Sequence, residues 1–314
     1  MEAQSNTGPD VNWVMACFLG AIIVLCPFGC WLTSINLHHI GVTITVLCVL
    51  AGIFGPIPVY WHQKQRKDRR DAILIIFWSL LLWTLMPVPF LIGARLHFPL
   101  RDNFFALFDQ SLGVNVGALV GWASVHEAGY LINKSYALLF PYLAIAIILP
   151  SLLGRPESKR FLLANCIALA IGLPCFVLFP AIGPWYAEHF PVGHPQLAVE
   201  AQLLALRGPG TYSYSILGDS AGIVSFPSFH VVWSVLAASG LWGFRSLRIP
   251  LVAFSSVIII STMTTGWHYF SDVLAGLILV SVALLAERTI SARFREGNQT
   301  VESASDIVTE QIQA

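Results

Sequence analysis

Charge is what this chain has least of: 11% of its 314 residues are Asp, Glu, Lys or Arg, where a soluble domain carries roughly a quarter. With 56% hydrophobic residues it cannot turn most of its surface to water, which excludes an ordinary soluble globular protein. There is no net charge either, with 17 basic and 17 acidic residues, so nothing in the balance favours nucleic acid as a partner. The six cysteines, Cys17, Cys26, Cys30, Cys48, Cys166 and Cys175, lie in or beside apolar runs and lack the paired loop spacing of a disulfide or zinc framework. No Lys or Arg precedes the first apolar run, which is too long for a signal-peptide core and is expected to remain as a membrane helix.

What is abundant is apolar sequence of bilayer-spanning length, about 20 residues per span. About eight spans are predicted, at 12–32, 40–61, 72–94, 137–153, 161–181, 229–244, 249–265 and 270–286. Lys and Arg near span ends are retained in the cytoplasm. The segments holding Lys64 to Arg70, Arg155 to Arg160, Arg245 with Arg248, and Arg288 to Arg295 fall on one side of this alternation. Only Arg95, Arg101, Lys134 and Arg207 fall on the other. Both termini are therefore predicted to be cytoplasmic. The division expected is N-terminal transmembrane helices over 1–94, a membrane domain over 95–286, and a polar, disordered tail over 287–314. Two long extracytoplasmic connections result, about 95–136 and 182–228, and long loops in a compact domain usually carry function. The first is apolar but interrupted by Asp109 and glycines, which predicts interfacial or re-entrant helices.

Ionisable residues at membrane depth are costly and so are functional candidates. Two histidines fall at one depth on one side: His230, opening the sixth span, and His268, between the seventh and eighth. Asp272 follows His268 by one helical turn, so its carboxylate is on the same face and able to accept an imidazole N–H. That bond would fix the tautomer and leave the other ring nitrogen with a lone pair, as a histidine nucleophile toward phosphorus requires. His230 is placed to give a proton to the leaving oxygen. The loop ending in Ser225-Phe-Pro-Ser228 meets a helix start, where free N–H groups and the Ser228 hydroxyl are suited to phosphate oxygens. Against this stand plainer roles: a lone histidine at a helix end is most often a structural hydrogen-bonder, and His–Asp pairs also cap helices. A haem or metal between the two histidines is disfavoured, because no further Cys, His or Glu stands at ligand spacing. No cofactor is expected.

These residues resemble the type 2 phosphatidic acid phosphatase superfamily. Pro227-Ser-Phe-His230 is similar to its Pro-Ser-Gly-His motif, and His268-Tyr-Phe-Ser-Asp272 to the end of Ser-Arg-x5-His-x3-Asp. The chain departs from the pattern where Ser261-Thr262 stands in place of Ser-Arg, and its first motif, Lys-x6-Arg-Pro, is absent. Phe226-Pro-Ser-Phe-His230, His268-Tyr-Phe-Ser-Asp272 and Phe179-Pro-Ala-Ile-Gly-Pro-Trp-Tyr186 resemble the inositol phosphorylceramide synthase-like branch, which lacks that arginine. The resemblance covers roughly residues 100–286.

It implies an all-α integral membrane enzyme with a six-helix-type phosphatase or phosphotransferase core and interfacial helices in the extracytoplasmic loops. His268 would form a phosphohistidine, Asp272 would orient it, and His230 would serve the leaving group. Ser228, Trp185 and Tyr186 would border the substrate. Arg207, in the loop feeding the site, is the first choice to replace the missing arginine, although an ordinary solvated loop charge explains it equally. The donor would be a membrane lipid phosphate and the acceptor an alcohol or water, without a metal. The rival from another class is a silent lipid-binding or transport protein that kept the fold.

Overall fold

The computed structural model describes residues 11–38, 49, 57–58, 67–215 and 222–313. Its architecture is helical, with α1 (Val11–Leu32), α2 (Lys67–Leu85), α3 (Pro87–Arg95), α4 (Asp102–Ser111), α5 (Val116–Val125), α6 (Glu127–Ala137) and α7 (Leu139–Leu152) in the first half. There follow α8 (Glu157–Leu178), α9 (Pro184–Glu188), α10 (His194–Leu206), α11 (Phe229–Gly240), α12 (Arg248–Thr264) and α13 (Phe270–Gln313). Strands β1 (Ile35–His38) and β2 (Tyr212–Ser215) form one parallel pair, with Ile35 opposite Tyr212.

Among the described residues, five stretches are long and apolar enough to cross a membrane: Val11–Leu32, Arg69–Arg95, Glu157–Leu178, Arg245–Thr264 and Phe270–Phe294. The count rises to 7 if the bent pairs α4 with α5 (78°) and α6 with α7 (46°) are each one span. The predicted span at 40–61 lies outside the described residues apart from Val49, Ile57 and Pro58. The first long connection is built of α4, α5 and α6, and the 78° bend between α4 and α5 is the geometry of a broken or re-entrant segment.

The bundle is centred on α8, which packs against α11 and α13. A backbone in hydrocarbon must satisfy its polar groups within the chain, and side chains placed among these helices do likewise. Trp233 Nε1 donates to Asn165 Oδ1 at 3.1 Å, and Ser255 Oγ to Ser234 O at 3.0 Å. One end of the bundle is held by ion pairs: Asp71 accepts from Lys159 at 2.6 Å and Arg70 at 2.9 Å, and Glu287 from Arg160 at 3.0 Å.

Beyond Glu287 α13 continues as helix to Gln313. No proline interrupts residues 287–313, and Ala, Glu and Gln favour helix there. Glu287 is anchored by Arg160, and Ser291 Oγ donates to it at 2.8 Å one turn later.

Near the opposite end Arg95 gathers the chain. Its guanidinium donates to the carbonyls of Thr33 (2.9 Å) and Gly208 (2.7 Å), and also to those of Leu206 and Gly210. It thus ties the end of α1 and the end of α10 to α3, beside the β1–β2 pair.

Candidate active site

The site lies where the N-termini of α11 and α13 meet. Gly276 permits the approach: a Cβ there would lie 2.7 Å from the Ser228 carbonyl oxygen. Across this contact the Ser228 backbone N–H donates to the Asp272 carbonyl at 3.1 Å. The two motifs that the sequence placed about 40 residues apart are thereby bonded to each other.

His268, 3% exposed, stands immediately before α13. Its Nδ1 is 3.0 Å from the Ser225 carbonyl oxygen. A carbonyl only accepts, so Nδ1 carries the proton and Nε2 the lone pair. The carboxylate expected to make this bond is slightly too far, with Asp272 Oδ2 3.5 Å from Nδ1. That oxygen accepts instead from Ser225 Oγ at 2.7 Å and from the Tyr269 N–H at 2.9 Å. Ser225 links the two, with its carbonyl on the histidine and its hydroxyl on the carboxylate.

His230, in the first turn of α11, stacks on Tyr136 with ring centroids 4.2 Å apart at 18°. The Tyr136 hydroxyl is 3.4 Å from its Nδ1, and its ring centre is 5.6 Å from that of His268. Val232 N–H donates to the Ser228 carbonyl as the first helical bond. The N–H groups of Phe229, His230 and Val231 therefore lie outside the helix's own hydrogen-bond pattern.

Among the described residues, three buried polar atoms at this junction have no hydrogen-bond partner: Ser228 Oγ, His230 Nε2 and Asp272 Oδ1. Such atoms are costly to bury unpaired. They cluster on 228–230 and 272, beside two helix N-termini whose dipoles favour an anion, which makes this junction the candidate site for a polar ligand.

Aromatic rings wall the site. Trp267 lies parallel to Tyr136 at 6.3 Å, and Trp185 meets Trp267 edge-on at 5.7 Å. Trp185 is held by Glu200, which accepts from its Nε1 at 2.8 Å. The turn before it needs Gly183, whose φ is 150°; a Cβ there would fall 2.1 Å from the Trp185 ring. Tyr186, next along, is 37% exposed and stands outside this wall.

Arg207 is not brought to the histidines by any of its hydrogen bonds. Its guanidinium donates to Ala94 O at 3.1 Å and Phe98 O at 2.5 Å, and its own carbonyl receives the His97 Nε2 proton at 2.8 Å. It belongs with Arg95 to the structural knot at the end of α10.

Two carboxylates that the sequence reading assigned no role complete the site's frame. Asp102 accepts from the N–H groups of Ile182 (3.0 Å) and Gly183 (2.9 Å) and from the Tyr269 hydroxyl (3.1 Å). Asp109 accepts from those of Phe270 (2.6 Å) and Ser271 (2.9 Å). Asp in an otherwise apolar segment was the signal for both. Among the described residues no group of three or more His, Cys, Asp or Glu is arranged to hold a metal ion.

A helical membrane protein with paired histidines at converging helix N-termini is the class this geometry defines. The sequence matches the PAP2 superfamily over residues 103–286, more than half of the chain, and the chain belongs to that superfamily. Its members are phosphatases and phosphotransferases. No curated protein and no solved structure matches it.

Proposed function

We propose that this chain is a lipid phosphotransferase resembling the inositol phosphorylceramide synthases, working through a phosphohistidine at His268. The observation that carries this reading is the His268 tautomer: Nδ1 is engaged by the Ser225 carbonyl, so Nε2 presents its lone pair. In the first step Nε2 attacks phosphorus and the bond to the lipid oxygen breaks, while His230, protonated once the anionic phosphate lies beside it, gives its Nε2 proton to that oxygen. Asp272 then stabilises the positive charge on the phosphorylated ring. In the second step neutral His230 takes the proton of an incoming hydroxyl, whose oxygen attacks phosphorus and releases His268.

With Arg207 engaged elsewhere, the free N–H groups of Phe229, His230 and Val231 and the Ser228 hydroxyl are the donors best placed for the phosphoryl oxygens. A cavity of about 210 Å³ between α2 and α7, lined by Leu80, Trp83, Phe140 and Ile148 among others, supports a lipid substrate. Phe140 meets the His230 ring edge-on at 6.4 Å, so a hydrocarbon chain there would lie beside the headgroup site. The charge distribution supports an extracytoplasmic site with both termini cytoplasmic.

The test is release or exchange of head groups from labelled lipid phosphates in detergent, with wild type beside His268→Ala. The variant is expected to be inactive, and the products separate an alcohol acceptor from water, hence transferase from phosphatase. Activity retained in His268→Ala refutes the nucleophile, while a wild type inactive across the panel of lipid phosphates shifts weight to a binding or transport role for the fold. No step uses a metal, so wild-type turnover is expected to persist in excess chelator; loss reversed by a divalent cation contradicts that.

A further inference from the structure

We infer that Asp102 and Asp109, both on α4, are positioning residues that hold His268 in line for attack. This rests on the phosphohistidine reading. The physical basis is where their four oxygens go. Asp109 gives one oxygen each to the N–H groups of Phe270 and Ser271, the first two residues of α13. Those groups have no helical acceptor, and a carboxylate at a helix N-terminus is also favoured by the dipole. Asp272 takes the Tyr269 N–H, so three successive amides after His268 are each bound by a carboxylate.

Asp102 fixes the same turn from the other side. It accepts from the Tyr269 hydroxyl, which also reaches the Gly183 carbonyl at 3.0 Å. Its bonds to the Ile182 and Gly183 N–H groups set the turn that carries Trp185 into the wall against Trp267. Both carboxylates are almost wholly buried, Asp109 at 0% and Asp102 at 2% exposure. Seven residues separate them, two turns of one helix, so a single rigid element clamps the residues after His268 and the Trp185 turn together.

Neither carboxylate has a described hydrogen bond to the histidine rings, so their effect is on the placement of Nε2 and not on the chemistry itself. A misplacement of about 1 Å at a reacting atom costs on the order of 10²-fold in rate. The rings of Phe105 and Phe226, stacked at 4.7 Å, press α4 against the Ser225-Phe-Pro segment and extend the clamp to the carbonyl that holds Nδ1.

The experiment compares Asp109→Asn, Asp102→Asn and the control Asp71→Asn in the full-length protein, by steady-state kinetics, single-turnover phosphoenzyme formation and thermal unfolding. Asn keeps an oxygen acceptor, so it guards against simple failure to fold. Both α4 variants are expected to lose about 10- to 100-fold in kcat and in the single-turnover rate, with KM within about twofold. Asp71→Asn, which breaks an ion pair at the far end, is expected to lower the unfolding temperature and leave kcat unchanged. Unchanged single-turnover rates in both α4 variants, or losses fully accounted for by the folded fraction, overturn the inference while leaving His268 in place. A wild type that forms no phosphoenzyme overturns the functional reading itself.

Discussion

The start of α13 and the turn around Glu287, further along the same helix, differ in how their polar groups are treated. At Glu287 the charges are paired, Arg160 with Glu287 and Lys159 and Arg70 with Asp71, and one oxygen of Glu157 is the exception. At His268, roughly 25 Å away along the helix, three buried polar atoms are left without partners among the described residues. The first pattern is what stability alone asks of charge near a membrane. In the second, polar groups are left desolvated and unpaired where stability alone would pair them. The contrast separates scaffold from site without reference to any relative.

The comparison breaks first at Asp272. Asp272→Asn keeps the shape but removes the charge beside His268, and turnover is expected to fall on the order of 10²- to 10³-fold; steady-state kinetics on a lipid phosphate checks this, and a loss under fivefold denies the carboxylate a role in the reaction. Ser225→Ala sharpens the picture further. It deletes the hydroxyl on Asp272 but keeps the carbonyl on His268, so about a tenfold loss in kcat is expected, in line with one charge-assisted hydrogen bond. The smallest effect belongs to the turn around Glu287: Arg160→Ala should lower stability by about 1 kcal/mol, since Arg160 is partly solvated. Its kcat should match wild type, and a drop there would erase the distinction between the two regions.

Much of this arrangement is written in contiguous sequence. His230 and His268 come to one place because each sits beside a helix N-terminus and the spans between return the chain to the same side. The helices at Val11–Leu32, Glu157–Leu178 and Arg248–Thr264 follow apolar runs directly. What could not be read is backbone chemistry. The partner of His268 Nδ1 is a carbonyl, and every residue has one, so no side chain marks it. Asp102 and Asp109 act on amides about 80 and 160 positions away, a pairing without local periodicity. Arg207 lies near the site loop in sequence, yet its side chain turns to Ala94 and Phe98, which the packing of α10 on α3 brings close.

The central claim is the covalent intermediate, and the most direct measurement traps it. Wild-type protein in detergent is mixed with a lipid labelled at phosphorus, quenched with alkali within one turnover, and digested for peptide mapping. The account expects an acid-labile, alkali-stable label on the peptide containing His268, lost in His268→Ala and discharged when an alcohol acceptor is added before the quench. Turnover without any such label, or the same label in His268→Ala, would contradict it.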